Sequence, residues 1–252
     1  MPEVEEHLSG GNASQHVVRL GSTVRKPWLA STPSVHRFMR YLREHGLADV
    51  PRPMGRDSQG RQVTEFVSGR RAPDDRPLPL EALRRVGHQI RQIHDIAAGF
   101  EPEATDTWTA IIPAPGTFLI CHNDLAPWNL VMGAHLTFID WDGAGPSTRL
   151  WDLAYAAQSF GFLVAGQDPH EAAQRLRTVV VDGYQANAGL RSRLAAAMGD
   201  RTQAMYDFLR TADLDDFQPW GQMFRNGQGR HWDGAARFVR KNQSLWHEAL
   251  TD

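Results

Sequence analysis

The feature that most constrains the fold is the order in which strand and helix signals occur along the chain. Strand-like runs crowd the first third. Residues 4–8 and 16–20 read as a hairpin punctuated by Gly10-Gly11-Asn12, and Gly21-Ser22 turns the chain into a third strand over 23–26. One helix interrupts them. Thr32 as N-cap with Pro33 at N1 opens it, Val35, Phe38, Met39 and Leu42 form its apolar stripe, and Gly46 closes it. Two further strands are expected near 52–55 and 62–67, split by the polar turn 57–60. Residues 68–79 are rich in Arg, Asp, Pro and Gly and read as a linker. Beyond them the pattern turns helical. Leu80, Leu83, Val86, Ile90 and Ile93 mark one face, short apolar runs follow at 117–120 and 136–140, and four or five helical segments are expected from Leu150 onward. Strands first and helices afterwards argue for an α+β fold with two unequal lobes. The expected division is 1–69 for a small β-rich N-terminal lobe and 70–252 for a larger, mostly helical one.

Composition excludes several function classes. A net charge of −2 gives no reason to expect nucleic acid or an anionic membrane as partner. Cys121 is the single cysteine, so neither an internal disulfide nor a cysteine-based zinc site is expected. The acidic start does not read as a secretory signal and no apolar run is long enough to span a bilayer, so the cytoplasm is the expected compartment. The composition is silent on oligomeric state.

The chemistry concentrates between 121 and 143. His122-Asn123-Asp124-Leu125 is followed by Asn129, and Asp140-Trp141-Asp142 closes the next apolar run. Phosphoryl transfer needs a group beside the nucleophile's proton and oxygen ligands that hold magnesium on the phosphates. A carboxylate at Asp124, an amide oxygen at Asn129 and a carboxylate at Asp140 supply that set. The step of five from Asp124 to Asn129 matches the catalytic loop of protein kinases.

Together with Asp152-Leu153-Ala154, these motifs resemble the aminoglycoside phosphotransferase and choline kinase family, whose typical elements are His-Gly-Asp-Leu, Ile-Asp-Trp-Glu and Asp-Leu-Ala. The order of elements agrees over nearly the whole chain. The resemblance implies a protein-kinase-like fold with ATP or GTP bound between the lobes. It makes Asp124 the base and Asn129 and Asp140 the Mg²⁺ ligands, with His122 and Asp152 bracing the loop. The Gly10-Gly11 turn would cover the phosphates, a basic residue of the third strand would touch them, and backbone groups from Glu65 to Val67 would read the base. Lys26 is the choice by its place at the strand end, and Arg25, on the opposite face, is the alternative. Three positions depart from the pattern. Asn123 replaces a glycine, which Asn tolerates. Asp142 replaces a glutamate. The helix after the third strand shows Val35-His36 where a glutamate should pair with the lysine, leaving His36 as a substitute partner or no pair at all.

Asp213, Asp215 and Asp216 read either as a solvated loop or as an anionic rim for a cationic acceptor. His94 reads as a satisfied core histidine, and Trp128 and Trp141 as packing residues. The expected activity is transfer of a terminal phosphoryl group to a hydroxyl of a small molecule. An aminoglycoside-like or other amino-bearing natural product leads, with choline-like, homoserine-like and sugar acceptors open. The rival readings are a nucleotide-binding pseudokinase without transferase activity and a metal-dependent hydrolase.

Overall fold

The computed structural model describes residues 5–8 and 17–252. A five-stranded antiparallel sheet comes first, built from β1 (Glu6–His7), β2 (Val18–Leu20), β3 (Thr23–Lys26), β4 (Pro53–Arg56) and β5 (Gln62–Glu65), in the order β1-β2-β3-β5-β4. The helix α1 (Thr32–Glu44) lies between β3 and β4 in sequence. Its predicted stripe is its buried face: Val35, Phe38, Met39 and Leu42 are all nearly inaccessible.

The start of α1 differs by one residue from the sequence expectation. Ser31 is the N-cap, and Thr32 begins the helix while its hydroxyl accepts a hydrogen bond from Leu29 N–H. The end is as expected. Gly46 takes φ +104°, and the Leu47 and Gly46 amides return to Leu42 and Arg43 carbonyls. That is the paired closure a glycine just past a helix allows.

The predicted linker contains a short strand, β6 (Arg70–Arg71), which joins β8 (Leu130–Met132) and β9 (Leu136–Phe138) in a three-stranded sheet. A strand of two arginines has no apolar alternation to announce it. Between them, β7 (Leu119–Cys121) pairs antiparallel with β10 (Gly145–Ser147). The helical part begins with α2 (Leu80–Ala97), whose Leu83, Val86, Ile90 and Ile93 are buried; Leu80, read as part of this face, lies at the first turn and is exposed. Six α-helices follow among the described residues: α3 (Arg149–Phe160), α4 (Pro169–Arg177), α5 (Ala188–Leu214), α6 (Trp220–Met223), α7 (Gly229–Lys241) and α8 (Gln243–Thr251). Thr148, Asp168 and Asn187 cap three of them by accepting amide hydrogen bonds. None of the helices is long and apolar enough to cross a membrane.

α2 is held in place by a close backbone contact. A Cβ on Gly87 would lie 2.0 Å from the Val179 carbonyl oxygen, and one on Gly183 would lie 2.5 Å from the Arg84 carbonyl oxygen. The helix can approach the turn at 178–183 only because both residues lack side chains. Gly87→Ala should therefore destabilise the protein by about 1–3 kcal/mol, the usual cost of overpacking. Thermal denaturation checks this, and an unchanged melting temperature would show that the contact relaxes freely.

Candidate active site

Three chain segments converge on the site. The first is the loop after β7, which carries His122 to Asn129 and ends in a 3₁₀ turn at Pro127–Asn129. The second is the turn after β9, which carries Asp140 and a 3₁₀ turn at Trp141–Gly143. The third is the end of β3 with Lys26. Antiparallel pairing of β8 with β9 brings the first two to one end of a hairpin, where Ile139 N–H donates to the Asn129 carbonyl at 2.8 Å.

The Asp124 loop is fastened from several directions. Asn129 Nδ2 donates to the Asp124 carboxyl at 2.7 Å and to its carbonyl at 3.0 Å. His122 accepts from Asp124 N–H through Nδ1 at 3.3 Å and meets the Ile139 carbonyl through Nε2 at 3.1 Å. This pairing assigns the ring hydrogen to Nε2. Asp152, buried on α3, accepts from Asn123 N–H at 2.8 Å and meets His94 Nε2 at 2.9 Å; the other His94 nitrogen lies 2.9 Å from the Tyr184 hydroxyl. His94, Cys121 and Asp152 lie within 4.8 Å of one another, but both His94 nitrogens are engaged and burial pushes the Cys121 thiol up. They form a hydrogen-bonded core cluster.

Asn123 and Asp140 both adopt the left-handed backbone, at φ +65° and +61°. Asn is among the few non-glycine residues that accept this conformation. Here its side chain also donates to the carbonyls of Gly143 and Gly145 at 3.1 and 3.3 Å, tying one loop to the other.

Lys26 reaches the Asp140 turn and Arg25 does not. The Lys26 ammonium bonds the Asp140 carboxyl and lies 3.0 Å from Asp142 Oδ2. Arg25, one residue away on the opposite face, bonds Thr23 and lies 3.6 Å from Asp57. Gln62 is the cross-strand partner of Lys26, so both point to one face of the sheet, and Gln62 Nε2 donates to Asp142 Oδ1 at 2.9 Å. The partner expected from α1 is thus supplied by the Asp142 turn. His36, the expected substitute, is buried edge-on to Trp28 and makes no hydrogen bond to Lys26.

The other predicted residues are placed as follows. Gly10 and Gly11 lie outside the described residues. The Glu65 side chain turns toward Arg52 N–H, and its own amide donates to the Arg52 carbonyl. Phe66 N–H donates to Ser22, while Val67 forms no backbone hydrogen bond among the described residues. Asp213 and Asp216 pair with Arg225 at 2.6 and 3.9 Å, and Asp215 ends α5. They lie twelve or more residues beyond Arg201, which touches the Asp124 loop through the Asn123 carbonyl. At 1.5 Å per residue, that is about 18 Å along α5. A groove of about 380 Å³ between α2 and the β8–β9 turn, lined by Arg85, His88, Gln89 and His135, contains none of the site residues.

Residues 101–196 match the phosphotransferase enzyme family. This stretch carries Asp124, Asn129, Asp140 and Asp152. Solved structures extend a likeness of fold over nearly the whole chain. A choline/ethanolamine kinase family protein from Mesorhizobium loti is 16% identical, with a TM-score of 0.61, covering 98% of this chain and 92% of its own. An amicoumacin kinase in complex with AMP-PNP and Ca²⁺ is 13% identical with a TM-score of 0.67, covering 96% and 88%. A spectinomycin phosphotransferase is 13% identical with a TM-score of 0.59, covering 96% and 93%. No curated protein matches by sequence. The fold is kinase-like, with a small antiparallel sheet preceding a larger helical part.

The two aspartates of the site are driven in opposite directions. Burial pushes the Asp124 carboxyl above its usual range, the like charge of Asp140 adds to this, and His122, Tyr155 and Asn129 only partly offset it. Burial works on Asp140 in the same sense, but the charge and hydrogen bond of Lys26 outweigh it and hold Asp140 low. Lys26 is held above its usual value because its two carboxylates outweigh its burial. A raised carboxyl pKa makes the folded state bind more protons, so the Asp124 contribution falls as pH rises from the unfolded value, about 3.9, to the folded one. The lowered Asp140 stabilises above the unfolded value, and that contribution is lost as pH falls through the folded one. At pH 7, Asp124→Asn should melt no lower than wild type and Asp140→Asn should melt lower. The reverse order in thermal melts would contradict this assignment.

Proposed function

We propose that the protein is a magnesium-dependent phosphotransferase that moves the terminal phosphoryl group of ATP or GTP to a hydroxyl of a small molecule. The observation that carries this reading is the convergence of Lys26, Asp124, Asn129 and Asp140 at the mouth of one hairpin. The donor set fits magnesium. Asn129 spends its Nδ2 on Asp124, which leaves its amide oxygen free, and Asp140 has a second carboxyl oxygen beyond the one bonded to Lys26. Both are hard oxygen ligands of the kind magnesium prefers. When bound, the metal would supply charge neutralisation on the phosphates.

In this reading Asp124 accepts and orients the acceptor's proton. Lys26 gives up its pairing with Asp140 and Asp142 to hold the phosphates, and Gln62 keeps Asp142 in place. Residues 1–69 form the nucleotide lobe and 70–252 the catalytic one. Gly10 and Gly11, outside the described residues, are assigned to the phosphates by the same reading. Of the stretch 65–67, Val67 is the residue whose backbone groups are free to read the base.

An amino-bearing acceptor is favoured over a neutral sugar. Ala126, two residues after Asp124, and Tyr155 pack with Trp232, and Trp128, Tyr206 and Phe224 lie half-buried against them. Aromatic faces attract ammonium groups, and the structural neighbours include a choline/ethanolamine kinase family protein and kinases of amicoumacin and spectinomycin. The acidic end of α5 is left out of the inner site because of its distance along the helix. A non-catalytic nucleotide-binding module is the second reading, favoured by the closed Lys26–Asp140–Asp142 cluster.

One experiment separates the two. Mg²⁺-dependent consumption of ATP and GTP is followed with spectinomycin, choline and homoserine as acceptors. Acceptor-dependent turnover supports the transferase, and nucleotide binding without turnover supports the module. In the active system Asp124→Asn should lower kcat by roughly 10²- to 10⁴-fold, the usual worth of general-base help, with nucleotide affinity retained. Wild-type turnover in that variant would remove Asp124 from its role.

A further inference from the structure

Behind the Asp124 loop, two buried side chains carry polar groups that complete no well-formed hydrogen bond among the described residues. Tyr155 on α3 is 1% exposed and Arg201 on α5 is 4% exposed. The Arg201 guanidinium lies 4.2 Å from the centre of the Tyr155 ring and 5.8 Å from that of Trp151. Its Nη2 donates to the Asn123 carbonyl at 3.4 Å, while its Nη1 has no hydrogen-bond partner among the described residues. The Tyr155 hydroxyl lies beside the Asp124 carboxyl and completes no hydrogen bond of good geometry there.

Packing does not account for this pair. A buried arginine with unpaired N–H groups is usually worse for stability than an apolar side chain of similar volume, and a buried unpaired hydroxyl also costs stability. Both groups nevertheless touch the one loop whose geometry the chemistry depends on. Asn129 fixes the Asp124 carboxyl by one donor, and a single hydrogen bond leaves the carboxyl plane free to swing.

Resting on the phosphotransferase reading, we propose that Tyr155 and Arg201 are positioning residues for Asp124. Arg201 holds the Asn123 carbonyl and clamps the Tyr155 ring from above. Tyr155 then offers its hydroxyl as the second donor to Asp124 and fixes the carboxyl plane toward the acceptor hydroxyl. The contact tightens when nucleotide and acceptor fill the cleft, as catalytic hydrogen bonds commonly do.

Tyr155→Phe in the full chain tests this directly, because it removes one oxygen and keeps the ring under Arg201. With MgATP and spectinomycin, choline or homoserine, kcat should fall about ten-fold, since small losses of orientation are costly. KM for MgATP should stay within about two-fold and the melting temperature should be unchanged or higher. Arg201→Met should lower kcat without lowering the melting temperature, and Arg201→Lys, which keeps the charge but not the planar stack, should recover part of the loss. Wild-type kcat in Tyr155→Phe overturns the inference, whatever Arg201→Met does to folding. A wild-type protein that transfers phosphoryl to none of the acceptors fails the parent reading as well. Activity in wild type with an unimpaired Tyr155→Phe fails this inference alone.

Discussion

The site depends on one half-buried charge cluster. The Lys26 ammonium extends from the sheet and binds two carboxylates, Asp140 and Asp142, on a turn of the helical part. The Asp140 carboxylate alone would favour the protonated form in so sheltered a place, and the Lys26 ammonium alone would favour the neutral one. Together they remain charged. The cluster therefore joins the two parts of the fold through the same groups that the proposed reaction uses. Asp140 is one-third exposed, so water damps its share of this attraction.

The surrounding architecture keeps that cluster aimed. α1 packs Phe38 edge-on against Trp141, the residue between the two aspartates, with ring centres 6.0 Å apart. Trp141 in turn donates to the Phe138 carbonyl at the end of β9 and tilts against His122 at 4.5 Å. Two left-handed residues, Asn123 and Asp140, bend the loops toward each other, and the Asn123 side chain and Asp152 hold the bends. Left-handed backbone costs energy at non-glycine positions and persists where neighbours over-determine it.

Much of this was legible in residue order. The step from Asp124 to Asn129, the strand end at Lys26 and the period of α1 rest on local spacing, and local spacing survives folding. Arg25 and Lys26 were separable by strand alternation, and the structure puts them on opposite faces. The missing helix glutamate was also visible, but its replacement was not. Asp142 and Gln62 meet Lys26 only because β3 pairs with β5 and the Asp142 turn folds back from a position more than a hundred residues away. Arg201 and Tyr155 were invisible for the same reason, since nothing in the helical period of α5 or α3 says what faces the Asp124 loop. Leu80 and the arginine strand β6 were misread because burial at an element's end is set by tertiary neighbours and not by the repeat.

The central claim is that Lys26 and Asp140 exchange partners when nucleotide binds. A crystal structure with magnesium and AMP-PNP tests it most directly. The account predicts a metal about 2.1 Å from oxygens of Asp140 and Asn129, with Lys26 moved from Asp140 onto the phosphates. A nucleotide bound with Lys26 still on Asp140 and no metal at Asn129 would contradict it.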